Sequence, residues 1–291
     1  MRPAGMFQGY LHLQCDECGY EYFKGTDAPT QSVYESDPDY LDDMEFYSSA
    51  KDRIQWHHRI ASNFIRKTIP PGSACLDVGC FDGFFVRHLC DHGYDARGID
   101  FNRKAIASGV FHFGLEGRIS NDTVNDFATA GKAFDIVSLF EVVEHLDEFI
   151  PVLRDCVSLL KPRGLLIVSV PNSHMSWRPP LDFPPHHLSR FSPLSLRMMA
   201  TRLGLQPLVS VEQSNLFDLV RNFTGLLFRE KEADSMRGGA FRNRGIVDPL
   251  RRIANRSKWT TYRMLYPVDR ILHLAGFRYI GQLLIAGKQE Q

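Results

Sequence analysis

Between residues 74 and 211, short apolar runs alternate with stretches of helical spacing. The runs cover 74–78, 95–99, 134–140, 165–170 and 208–211, with a weak one around Thr123 and Val124 and a last one near 280–287. Short apolar runs bounded by Gly, Pro, Asp and Asn read as buried strands. Helical periodicity occupies 52–67, 84–91, 103–109, 149–160 and 194–204. In the first of these Ile54, Ile60, Phe64 and Ile65 form the apolar face, and Pro70-Pro71-Gly72 ends it. Alternation of this kind predicts an α/β fold: a doubly wound, Rossmann-like sheet of seven strands with helices on both faces. The pattern divides the chain into an acidic arm (1–50), the α/β core (51–214), a basic, helix-prone insertion (215–278) and the last strand with its tail (279–291). No internal repeat or low-complexity tract appears.

The first stretch with chemical content is Leu76-Asp77-Val78-Gly79-Cys80-Phe81-Asp82-Gly83, where a strand runs through a glycine turn into a helix. Such a turn aims backbone N–H groups and a helix N-terminus at the carboxyl edge of a parallel sheet. The next strand ends at Asp100, 21 positions beyond Gly79, where a carboxylate can accept both hydroxyls of a ribose. The Gly-Lys-Ser/Thr phosphate loop is absent, which favours a nucleoside without a triphosphate. A turn that serves packing alone is the competing reading.

Asp77-Val78-Gly79-Cys80 together with Asp100 resembles the S-adenosylmethionine site of the class I methyltransferases over about 59–205, with a last strand near 280–287. The resemblance implies that Asp77, Gly79, Cys80, Gly83, Asp100 and Phe140 surround that cofactor. Phe81 departs from it, since many members carry glycine there. The segment around Arg59 resembles the ubiquinone-pathway O-methyltransferases, in which an arginine 20 positions before the first turn glycine binds the cofactor carboxylate. A surface charge on an amphipathic helix is the alternative for Arg59.

Glu141, Glu144 and His145 follow the fourth strand at i, i+3 and i+4, so a helix starting there puts all three on one face. Two carboxylates and an imidazole make half of an octahedral divalent site, which His187 on the loop after the fifth strand would extend. Mg2+, Mn2+, Fe2+ and Zn2+ all suit such ligands. The pattern resembles two groups, the ubiquinone-pathway O-methyltransferases and the small-RNA 2′-O-methyltransferases, both carrying Glu-x-x-Glu-His and a later histidine ahead of an aromatic, here His187 before Phe191. Both methylate one oxygen of a vicinal pair. The resemblance thus implies a metal-assisted O-methyltransferase acting on a diol or catechol: a sugar of a glycan or secondary metabolite, or a quinone precursor. Metal-free catalysis with His145, His187 or Glu141 moving the proton stays open, as does a structural role. RNA 2′-O-methylation and a non-catalytic cofactor-binding partner protein are the alternatives.

Charge changes the picture only locally. Lys plus Arg and Asp plus Glu are 34 each, which implies neither nucleic acid nor membrane as a bulk partner. Residues 1–50, however, hold ten acids against two bases (net −8), and 215–275 hold twelve bases against six acids (net +6). The basic segment lacks the aromatic–basic interleaving of single-strand binders, so nucleic acid is not expected. It could instead meet an anionic membrane, a second copy of the chain or the acidic arm. No apolar run spans a bilayer and no signal-peptide core is visible, which predicts a cytoplasmic protein, at most peripheral at the inner membrane surface. Cys15 and Cys18 form half of a zinc knuckle, read here as a relic hairpin without metal. The tyrosine-rich stretch 25–50, with Tyr34, Tyr40 and Tyr47, is either a solvated arm or a lid.

Overall fold

The computed structural model describes residues 1–25, 54–176, 178, 182–213, 258–277 and 281–290. The tyrosine-rich stretch and Gly238-Gly239 lie outside them, as does most of the basic insertion. The chain opens with β1 (Arg2–Phe7), β2 (Tyr10–Gln14) and β3 (Glu21–Lys24), antiparallel neighbours in that order. Gln8 and Gly9, both at positive φ, make the two-residue turn between β1 and β2, as the right-handed twist of a hairpin requires.

The core begins with α1 (Trp56–Thr68), β4 (Ala74–Val78), α2 (Phe84–Asp91), β5 (Asp95–Ile99), α3 (Arg103–Phe113), β6 (Ile119–Ser120), α4 (Val124–Thr129) and β7 (Phe134–Phe140). It continues with α5 (Phe149–Ser158), β8 (Leu160–Pro171), β9 (Ser189–Arg190), α6 (Pro193–Arg202), β10 (Leu205–Gln213), α7 (Lys258–Leu274) and β11 (Gly281–Lys288). The main sheet has the order β10-β11-β8-β7-β4-β5-β6, with β11 antiparallel to both of its neighbours. This is the seven-stranded Rossmann-like sheet that the alternation predicts.

Strand side chains alternate between two cores, as a sheet covered on both faces requires. Val137 and Leu139 of β7, Leu166 and Val168 of β8, and Leu284 of β11 join one cluster. Ile136, Leu165, Ile167, Leu283 and Ile285 join the other. Each such side chain contributes roughly 1.5–3 kcal/mol by leaving water.

Two expectations are corrected. Thr123 and Val124 are not a strand: Thr123 caps α4, exchanging hydrogen bonds with Asp126 in a capping box. The third strand is β6, two residues long and too short to show a period. Nor does a helix begin at Glu141. That residue turns the chain at φ 55, and a single 3-10 turn covers Val143–His145. The fourth-to-fifth connection therefore never presents Glu141, Glu144 and His145 on one helical face.

Part of the basic insertion is described as α7, whose Met264, Val268, Ile271 and Leu274 are exposed. Among the described residues no helix is long and apolar enough to cross a membrane.

Candidate functional site

The glycine turn is anchored to β5 by backbone. Gly79 and Cys80 donate to the Ile99 carbonyl at 2.8 and 3.1 Å. Asp100 completes the tie, its two carboxylate oxygens accepting from the Phe81 and Asn102 amides, each at 2.8 Å. Burial pushes the Asp100 carboxyl up, against the pull of those two amides. Phe81 sits at φ 54, the left-handed region that glycine occupies without strain. Gly79 (φ 74) has a different need: a Cβ there would lie 2.3 Å from Val142 Cγ2. The glycine is thus demanded by close packing on the turn that follows β7, besides any demand from a ligand.

Asp77 is buried behind the turn, where Ser138 Oγ donates to its Oδ1 at 2.6 Å. Burial pushes Asp77 up to about 7, with Asp100 adding to the effect and the Ser138 bond opposing it. Cys80 is buried, and Gly83 starts α2 in the left-handed conformation. Phe140, at the end of β7, packs against Phe85, His57 and His58 at 4.7–5.2 Å between centroids. Arg59 lies on α1 in the next position, with its side chain exposed.

The second half of the site gathers at the neighbouring sheet edge. Glu144, His145 and His187 bring one ligand atom each within 4.8 Å of one another, the group among the described residues that could hold a metal ion. Glu144 is 1% exposed, and neither carboxylate oxygen has a hydrogen-bond partner. Its carboxyl is therefore pushed well above the usual range, by burial first and by Glu141 second. The His145 and His187 rings meet edge to face at 4.6 Å. His145 Nδ1 lies 2.8 Å from the His186 carbonyl and His187 Nδ1 lies 2.9 Å from Asp182 Oδ1. Because a carbonyl and an ionised carboxylate can only accept, each Nδ1 carries a proton. Burial drives His145 down to about 3, so it stays neutral.

A buried carboxyl without a hydrogen-bond partner thus lies beside two imidazoles. A buried carboxylate in that company needs a proton or a cation. The donor set fits a divalent ion with nitrogen and oxygen ligands.

Glu141 stands apart from this group. Its Oε1 accepts from Ser169 Oγ at 2.8 Å and lies 3.9 Å from His57 Nδ1, and the side chain is 40% exposed. The positive φ at Glu141 turns it away from the helical spacing with Glu144. Burial also weakens the His145 ring as a base.

Asp182, Arg190, Ser138 and Ser169 escaped the sequence reading. Asp182 lies five positions before His187 in a proline-rich loop, and no periodicity or motif distinguishes it. It is 1% exposed and lies against Arg178, Arg190 and His187, whose hydrogen bond and positive charges hold its carboxyl below the usual range despite burial.

Residues 50–211 match the family model of a methyltransferase domain. A ubiquinone biosynthesis O-methyltransferase of Cereibacter sphaeroides is 36% identical over 121 residues, 39% of this chain and 49% of that protein. One from Ralstonia nicotianae is 33% identical over 113 residues, covering 37% and 47%. The chain thus matches about half the length of these curated relatives. Among solved structures, an S-adenosylmethionine-dependent methyltransferase from Archaeoglobus fulgidus superposes with a TM-score of 0.52 at 19% identity, over 87% of this chain and all of that one. At that identity it bears on the fold alone.

Proposed function

Since the chain belongs to the class I S-adenosylmethionine-dependent methyltransferases, we propose that it is an O-methyltransferase whose acceptor presents two adjacent oxygens to a divalent cation held by Glu144, His145 and His187. The observation that carries this reading is Glu144, a buried carboxyl without a hydrogen-bond partner, with ligand atoms of two histidines within 4.8 Å. The relatives named for O-methylation in ubiquinone biosynthesis favour a catechol-like quinone precursor over a sugar.

The glycine turn and Asp100 would hold the nucleoside, with Asp77 ionising to meet the cationic end of the cofactor. Glu144, His145 and His187 would hold the ion, whose chemistry there would be Lewis-acid activation of an acceptor hydroxyl. His145 and His187 would supply ring nitrogens, each ring oriented by its Nδ1 partner. Glu141, open to solvent on one side, is the carboxylate able to receive the acceptor proton and pass it to water. Methyl transfer to an aligned oxygen then needs little more than exclusion of water and correct approach.

Release of S-adenosylhomocysteine from a catechol acceptor tests the reading. Excess chelator should abolish turnover while calorimetry shows unchanged cofactor affinity, and added Mn2+ should restore the rate. Full activity in chelator would reject the metal and leave a metal-free proton transfer.

A further inference from the structure

His187 is held by Asp182, and Asp182 is held from the far end of the chain. The Arg190 guanidinium lies 3.6 Å from the Asp182 carboxylate and donates to the Asp182 carbonyl at 2.9 Å. Its other side reaches Glu21 of β3 at 3.4 Å, and Glu21 also meets His12 of β2 at 2.9 Å. The guanidinium stacks between Phe23 and Phe183, at 4.6 and 4.8 Å from their centroids, and Phe183 stacks in turn on Phe7 of β1 at 5.0 Å. Backbone repeats the connection: Phe23 donates to the Leu188 carbonyl, and Leu188 donates to the Glu144 carbonyl, both at 2.8 Å. Two of the three proposed ligands are thereby fastened to the N-terminal sheet, whose fourth strand is β9.

We propose that Asp182, set in place by Arg190 and through it by Glu21 and Phe23, is a positioning residue for His187, and that the N-terminal hairpin is therefore a working part of the site. This rests on the proposed role of Glu144, His145 and His187 as ligands. A hairpin serving only to cover the core would need no buried Arg–Asp pair aimed at a ligand histidine. Partners that fix the tautomer and orientation of a ligand histidine commonly set metal affinity by 10–100-fold. Arginine, with its planar fork and flat stacking face, can join a carboxylate, a carbonyl and two rings at once, which lysine cannot.

The test uses the whole 291-residue chain and the variants Asp182→Asn, Arg190→Lys and Glu21→Gln. Three quantities are read: Mn2+ affinity from the spin resonance of free Mn2+, the His187 tautomer from two-bond ¹H–¹⁵N correlations, and S-adenosylmethionine affinity by calorimetry. Asp182→Asn should weaken Mn2+ by about 10–100-fold and turn a single Nδ1–H tautomer of His187 into a mixture. Arg190→Lys should act in the same direction and less strongly, Glu21→Gln less again, with cofactor affinity unchanged in all three. Wild-type tautomer and Mn2+ affinity in both Asp182→Asn and Arg190→Lys would overturn the positioning role and leave the metal reading standing. If the wild-type chain binds no Mn2+, the metal reading falls; loss of the Nδ1–H tautomer in Asp182→Asn would still support positioning, and its retention would overturn it. Should Asp182→Asn not fold, Arg190→Lys and Glu21→Gln carry the same readouts.

Discussion

The two halves of the site are built in opposite ways. The proposed cofactor half is centred on one strand–turn–helix and the end of the next strand, within 77–100, and the carboxylates there have hydrogen-bond partners where they stand. Asp100 already accepts two amides and Asp77 a hydroxyl. The proposed ligand half draws Glu144, His145, Asp182, His187 and Arg190 from one turn, one loop and β9, braced by the first 25 residues, and leaves its central carboxyl without a partner. A satisfied half is preformed for its ligand; an unsatisfied half keeps a cost in the fold that only a cation or a proton relieves.

Replacing the carboxylate should separate the halves most sharply. Glu144→Met, similar in length and apolar, should lower turnover at least about 100-fold, in line with loss of a metal ligand, and abolish Mn2+ binding with cofactor affinity intact. In metal-free buffer the same variant should be more stable than wild type by about 1–3 kcal/mol, because a buried unpaired group is gone; urea denaturation measures this, and a less stable variant would show that Glu144 is satisfied in solution. Asp100→Ala should do the reverse, weakening the cofactor by about 1.5–3 kcal/mol without changing Mn2+ affinity, as calorimetry with each ligand would show.

A pH series sharpens the cofactor half alone. Asp77 has a folded pKa of about 7 against an ordinary value of 3.8, so the fold holds a proton that the unfolded chain releases. Stability from this group is greatest below about pH 4 and declines as pH rises to about 7, then stays level. A cationic cofactor selects the ionised form, so its affinity should rise about tenfold between pH 6 and 8; a flat profile would mean that Asp77 keeps its proton in the complex. The smallest effect is expected from Phe81→Gly. Relief of a left-handed backbone is partly cancelled by the freedom glycine gains when unfolded, leaving a gain of about 1 kcal/mol or less, visible as a small rise in melting temperature.

The same contrast explains what could be read from sequence. Asp77, Gly79, Gly83 and Asp100 were legible because a strand, a turn and the next strand impose their spacing directly. The alternating apolar runs gave the sheet, since strands buried on both faces admit few other residues. Glu144, His145 and His187 were legible as candidates, yet the helix expected at Glu141 was not there: a positive φ on a non-glycine residue leaves no mark in the pattern. Asp182 and Arg190 stayed hidden because their partners, Glu21 and Phe23, lie in another part of the chain and pair with them only once β3 meets β9. The weak run at Thr123 misled because β-branched residues suit a strand, while Thr-x-x-Asp suits the start of a helix.

The pairing of β3 with β9 also has a history. Glu21 and Arg190 are 169 positions apart, so their contact closes one of the longest loops in the chain. Closure entropy grows only slowly with length, but contacts of long sequence separation are late to be rewarded during folding. On a ribosome the first three strands emerge long before β9 exists, and the open edge of β3 must wait for most of the core to be made. Until then that edge is a row of unpaired amides and carbonyls exposed to other chains. The cluster around Glu144 should accordingly be among the last parts to take shape, so that a cation bound there, as proposed, would report that the N-terminal strands have already met the core.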